Sequence, residues 1–140
     1  MKNLQLLFPH IAKSAGTSFR NALESQFGLD KVQRDYSINA AETSKEIASY
    51  IYGDNDYFRF KLAFDELKCS LLAGHFPASK YARLFQIENV VTFIREPVAR
   101  VISEFKHFQR HQNFEKELSD FIEIPRFINI QHRMLQNVPV

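Results

Sequence analysis

The chain has 140 residues, 45% of them hydrophobic and 24% charged, with a formal net charge of +2 at pH 7. That length gives one domain with a real core, and so small a charge does not indicate a nucleic-acid partner, which needs lysine and arginine gathered on one face. No stretch reaches the roughly 20 apolar residues of a membrane span or the apolar segment of a secretory leader, and the single cysteine, Cys69, excludes an internal disulfide and suits a reducing compartment.

The expected location is therefore cytoplasmic, with the first strand beginning at Leu4 and leaving no room for an anchor. Phenylalanine is abundant (14) and tryptophan absent, so the expected core is phenylalanine-rich. In chain order, residues 4–9 read as a strand, followed by a loop to Gly16. A helix then runs from Thr17 or Ser18 to Phe27, closed by Gly28 as its C′ residue. Residues 31–38 are open between a short strand and a loop. Residues 40–52 have a helical pattern with Ile47, Ile51 and Tyr50 inward, stopped by Gly53-Asp54-Asn55-Asp56. The aromatic piece 57–64 carries no decisive pattern. Residues 70–75 read as a short buried strand, 79–86 as a helix, and 90–95 as the clearest strand in the chain. Pro97 sits at the first position of a helix, which Val98, Val101, Ile102, Phe105 and Phe108 extend to about His111. Weaker helical patterns fill 118–124 and 126–135. Strands alternating with helices imply parallel strands joined by crossovers, hence an α/β sandwich.

Two strand–turn–helix stretches are composed to hold phosphate or a similar anion. In the first, Lys13-Ser14-Ala15-Gly16-Thr17-Ser18, lysine supplies a point charge and Gly16 lets backbone approach closely. Thr17 and Ser18 can cap the helix and donate hydroxyls. It is not the Walker pattern, which requires an upstream glycine and a Gly-Lys pair before Ser/Thr; a P-loop kinase is accordingly a distant reading. The plainer alternative is a helix cap with an incidental lysine. In the second stretch, Arg95 ends a strand, where open α/β sheets bind ligands, and Ser103 follows eight positions later. A helix rises roughly 9 Å from Pro97 to Ser103, so both reach one ligand only if it lies along the helix. The plainer alternative pairs Arg95 with Glu96 or Glu104 and leaves Ser103 as a packed surface residue. Both stretches are expected to aim helix N–H groups at an anion.

Together these stretches resemble the two cofactor signatures of the sulfotransferases that use 3′-phosphoadenosine-5′-phosphosulfate (PAPS). The likeness is to the carbohydrate branch that includes heparan sulfate 2-O-sulfotransferase and its bacterial relatives. His10-Ile11-Ala12-Lys13-Ser14-Ala15-Gly16-Thr17-Ser18 is similar to that branch's His-Ile-Pro-Lys-Thr-Ala-Gly-Thr-Ser loop around the 5′-phosphosulfate. Residues 93–103 are similar to the Arg-Asp-Pro-Val-x-Arg-x-x-Ser segment at the 3′-phosphate, with Glu96 in place of aspartate. Ala73-Gly74-His75 resembles the segment whose histidine is implicated as catalytic base; Ala73 stands where the heparan enzyme has a second histidine. Asn129-Ile130-Gln131 through Leu135 resembles an Asn-x-Gln-x-x-x-Leu stretch.

The resemblance implies a P-loop-like three-layer sandwich, with a central parallel sheet flanked by helices, as one domain over residues 1–140. The family's domain normally runs further, so the domain is expected to be incomplete at its C-terminus. It implies Lys13 and His75 as catalytic groups and Lys13, Ser14, Ala15, Gly16, Thr17, Ser18, Arg95 and Ser103 as PAPS contacts. The implied reaction moves a sulfuryl group to a hydroxyl on a carbohydrate or other small acceptor, with no metal. The alternative is a PAPS- or PAP-binding fragment without turnover (PAP being the desulfated product). Of the other histidines, His10 reads as a brace for the loop. His107 and His111 share a helix face at i, i+4 but lack both the metalloprotease glutamate and a third ligand. Cys69 reads as buried and inert, and Phe105 and Phe108 as core.

Overall fold

The computed structural model describes residues 4–138. Residues 1–3 and 139–140 of the expected domain lie outside them. Three parallel strands, β1 (Leu6–Pro9), β2 (Val32–Asp35) and β3 (Leu71–Gly74), form a sheet in the order β1-β3-β2. The register sets Pro9 and Asp35 on either side of Gly74, so all three strands end at one level. Side chains alternate across the sheet, and both faces are covered, which is why β1 and the central β3 read as continuous apolar runs, whereas β2, at an edge, is Val-Gln-Arg-Asp. On one face Phe8, Val32, Leu71 and Ala73 pack against Phe19, Leu23 and Phe27 of helix α1 (Gly16–Phe27). On the other, Leu7 and Leu72 meet Ile47, Ile51, Phe60, Phe64, Tyr81 and Phe85. These come from a π-helical segment (Ile47–Gly53), helix α2 (Tyr57–Glu66) and the turns that follow β3. The result is the expected α/β sandwich.

Three local expectations change. Residues 90–95 do not form a strand: they make one parallel bridge, Leu7 to Val90. Val91 N–H donates to Leu7 O at 2.9 Å, and then the Thr92 hydroxyl donates to Pro9 O at 2.7 Å. Leu6 and His10 donate their N–H groups inward, to Ser70 O just before β3 and to Gly74 O, so position 9 should donate on the outer edge. It is proline and has no N–H, and the ladder stops there. Residues 40–44 are turns rather than helix, because Ser44 Oγ and Thr43 Oγ1 accept from the N–H groups of Arg34 and Tyr36; short hydroxyl side chains compete here with helical bonding. In place of one helix over 79–86 there are two single 3₁₀ turns, Ala78–Lys80 and Ala82–Leu84. Lys80 Nζ and Tyr81 OH both donate to the buried Asp35 carboxylate at 2.7 Å, and holding both there fixes the chain locally.

The C-terminal third adds helices α3 (Pro97–His111), α4 (Leu118–Ile122) and α5 (Ile130–Leu135). Phe121 is wholly buried among Phe105, Phe108, Phe114 and Phe127, forming a second aromatic core. Among the described residues no helix is long and apolar enough to cross a membrane.

Candidate functional site

The loop after β1 is shaped by its backbone. Lys13 and Ala15 hold left-handed conformations, φ 65° and 63°, while Ser14 and Gly16 do not. Alternating hands of this kind curl successive N–H groups toward one side and form an anion-binding concavity. Each left-handed non-glycine residue costs on the order of 1 kcal/mol, so the loop needs support from outside. Arg95 Nη1 donates to Lys13 O at 3.3 Å, and Arg100 Nη1 reaches Ala12 O at 3.5 Å. Arg100 is itself fixed by a buried 2.6 Å ion pair with Glu104, one turn along α3. Gly16 has no room for a side chain: a Cβ there would lie 2.8 Å from His10 Nε2 and 3.1 Å from Phe8 Cζ.

Helix α1 starts at Gly16 with Ala15 as its N-cap and no side-chain cap. Thr17 and Ser18 do not cap it, contrary to the sequence reading; both are exposed in its first turn. The first N–H groups and the positive end of a 12-residue helix thus remain open to an anion. The second stretch differs. The Glu96 carboxylate accepts from Ala99 N at 2.6 Å and Val98 N at 3.0 Å, so the start of α3 is already neutralised from within. Those two bonds hold its carboxyl below the usual range, Ala99 first. Only the first of the two helix ends is therefore available to a ligand.

Arg95 does not pair with Glu96 or Glu104 among the described residues; Glu104 belongs to Arg100. Its backbone is gripped at both ends by Gln131, whose Oε1 accepts from Arg95 N at 2.8 Å and whose Nε2 donates to Arg95 O at 2.9 Å. The guanidinium is thereby aimed at the loop. His10, Lys13, Ala15, Gly16, Thr17, Arg95 and Ser103 line one cleft of about 250 Å³. Ser14 is buried beside it, its hydroxyl without a partner, while Ser18 is outside the lining.

His75 follows β3, its N–H donating to Asp35 O at 2.9 Å. Gly74 before it packs so closely on the Asp35 backbone that no Cβ fits. The His75 ring stands edge-on between His10 (4.8 Å between centroids) and Tyr36 (4.9 Å). His75 is thus at the same end of the sheet as Lys13; its ring touches His10, which lines the Lys13 cleft, but His75 itself is outside that lining. Desolvation first, and then the Arg20 charge, hold the His75 imidazole below its ordinary pKa, with Glu104 opposing. Arg20 is turned toward this corner by a hydrogen bond to Tyr36 OH and a 3.4 Å contact with Glu24. Arg20 and Tyr36 carry no sequence signal for this role; the i, i+4 spacing of Arg100 and Glu104 was the one readable hint of the loop's support.

His10 is 6% exposed, and its Nδ1 has no partner. Desolvation, then His75 and Arg20, lower its pKa to about 4. The unfolded chain takes up this proton near pH 6.5, so the folded state loses stability as pH falls from about 6.5 to about 4, on the order of 3 kcal/mol in all. Urea unfolding across that range should show the loss, and His10→Asn should remove most of the slope. A slope unchanged in the variant would place its origin elsewhere.

His107 and His111 lie with ring centroids 4.6 Å apart. No group of three or more His, Cys, Asp or Glu fit to hold a metal occurs among the described residues.

The parallel sheet carries a basic cleft at the C-terminal end of its strands, the position where open α/β sheets bind ligands. Residues 2–137 match the family model described as Sulfotransferase family, and the chain belongs to that family. Its reaction class is sulfuryl transfer to a hydroxyl-bearing acceptor. No curated protein and no solved structure matches the chain significantly.

Proposed function

We propose that the protein transfers a sulfuryl group from PAPS to an acceptor hydroxyl on a carbohydrate. The observation that carries this reading is the single cleft in which Lys13, Gly16 and Thr17 face Arg95 and Ser103, residues some eighty positions apart. The fit to a nucleotide anionic at both ends rests on three features: the left-handed turns at Lys13 and Ala15, the partnerless Ser14 hydroxyl, and the absence of an ion pair on Arg95 among the described residues. The carbohydrate class rests on the likeness of the two motifs to the carbohydrate branch.

PAPS supplies an activated sulfuryl group attached to a 5′-phosphate. The uncapped N–H groups of the loop and Lys13 would hold that end, with the lysine charge placed for the oxygen that becomes negative as the S–O bond breaks. Arg95 would grip the 3′-phosphate through its two-pronged guanidinium, with the Ser103 hydroxyl as a further donor. His75, largely neutral at pH 7, would accept the proton from the acceptor hydroxyl as its oxygen bonds to sulfur.

Titration calorimetry with PAP and with AMP, beside a sulfate-transfer assay, tests the reading. PAP should bind roughly 10- to 100-fold tighter than AMP, and Arg95→Ala should erase most of that preference. Equal binding of PAP and AMP would reject the Arg95 and Ser103 assignment. PAP binding without transfer to any sugar hydroxyl would leave a nucleotide-binding protein in place of an enzyme.

A further inference from the structure

The Lys13 cleft continues past Ser103. A second hollow of about 190 Å³ runs along α3, lined by Lys13, Ser103, Lys106, His107, Arg110 and His111. It shares Lys13 and Ser103 with the first cleft. The remaining positions recur at three- and four-residue steps, so they form one face of the helix. Two permanent cations and two histidines join Lys13 there, and no carboxylate lines the hollow. Glu104, the acid nearest in sequence, is 6% exposed and spent on Arg100. Among the described residues neither Lys106 nor Arg110 forms an ion pair.

Like charges gathered without counter-charges repel one another, at a cost that an arriving anion removes. The same field is visible at His107, whose pKa is lowered by desolvation, then by Lys13 and His111, with Glu104 opposing. In the reading above, the loop and Arg95 with Ser103 take both charged ends of the nucleotide. The face from Lys106 to His111, roughly 8 Å of helix, is left for a different anion.

We propose that this hollow is a second oxyanion site, which receives a sulfate, carboxylate or phosphate group carried by the acceptor. The proposal rests on the sulfotransferase reading and narrows its acceptor to molecules that are already anionic. Lys106 and Arg110 hold the group from successive turns of α3, with the two histidines as further donors. An acceptor anchored there lies directly beside Lys13.

Histidine ring resonances in two-dimensional NMR test it, since the chain has only five histidines. With PAP present at saturation, lactose 3′-sulfate should shift the His107 and His111 signals, and lactose should not; His132 on α5 serves as reference. Lys106→Gln combined with Arg110→Gln should weaken the response to the sulfated sugar at least about fivefold. Equal responses to both sugars, no response to the sulfated one, or an equal loss of PAP affinity in the variant would overturn the proposal. So would PAP alone saturating the His107 and His111 shifts and blocking the sulfated sugar, because the hollow would then belong to the nucleotide. Failure to bind PAP would refute the donor reading, whereas lactose 3′-sulfate titrated alone still reports on the hollow.

Discussion

Replacing Lys13 with alanine should lower sulfuryl transfer by about 100- to 1000-fold, while PAP affinity falls by less than about tenfold. The asymmetry follows from where the charge develops. The curled N–H groups between Lys13 and Gly16 and the open end of α1 remain in the variant and still attract the ground-state phosphate. The lysine charge matters most as negative charge develops on the one leaving oxygen during S–O cleavage; in PAP that charge is already spread over the 5′-phosphate oxygens and shared with the loop N–H groups. Single-turnover transfer rates set beside PAP titrations separate the two effects. Equal losses in both would make Lys13 a binding residue only.

Replacing His75 with alanine should lower transfer by about 100- to 10,000-fold, the usual range for losing a positioned general base, with PAP affinity nearly unchanged. The pH profile gives an independent signature. A base must be neutral to accept a proton, and His75 is held below its ordinary pKa by desolvation and the Arg20 charge. The acid limb of kcat/KM should therefore fall below pH 6.5. Arg20→Gln removes the second of these causes and should move the limb upward in pH. The neighbouring His10, lowered to about 4, would place its own limb near that pH. An acid limb that persists unchanged in His75→Ala would assign the base elsewhere.

Much of the fold was legible because its signals are local. Gly28, with φ 88°, closes α1 as a C′ glycine should, and Pro97 opens α3 at the first position. Ile47 and Ile51 are buried although their segment is wound as a π-helix. Helix α2 was not legible: its aromatic run suits strand or helix, and Asp56 decides it by accepting from Arg59 N at 2.9 Å. The Glu96 cap was equally hidden, since glutamate is not among the side chains that ordinarily cap a helix.

By itself the sequence determined the two candidate anion-holding stretches, the strands β1 and β3, the helices α1 and α3, and the residue types that bring charge and hydroxyls to each turn. Each depends on neighbours within a few positions. Only the tertiary structure decided which of those groups are free to act. Glu96 occupies the start of α3, Glu104 is taken by Arg100 rather than by Arg95, and Gln131 grips Arg95 from 36 positions away. His10 meets His75 because β1 and β3 are adjacent, and the missing N–H of Pro9 stops the outer ladder only because that position faces the sheet edge. A hydrogen-bonding group or charge is available to a ligand only when no nearer partner satisfies it; Glu96 and Glu104 act within α3 itself, whereas Gln131 and His75 reach their partners from distant segments that meet only in the folded chain.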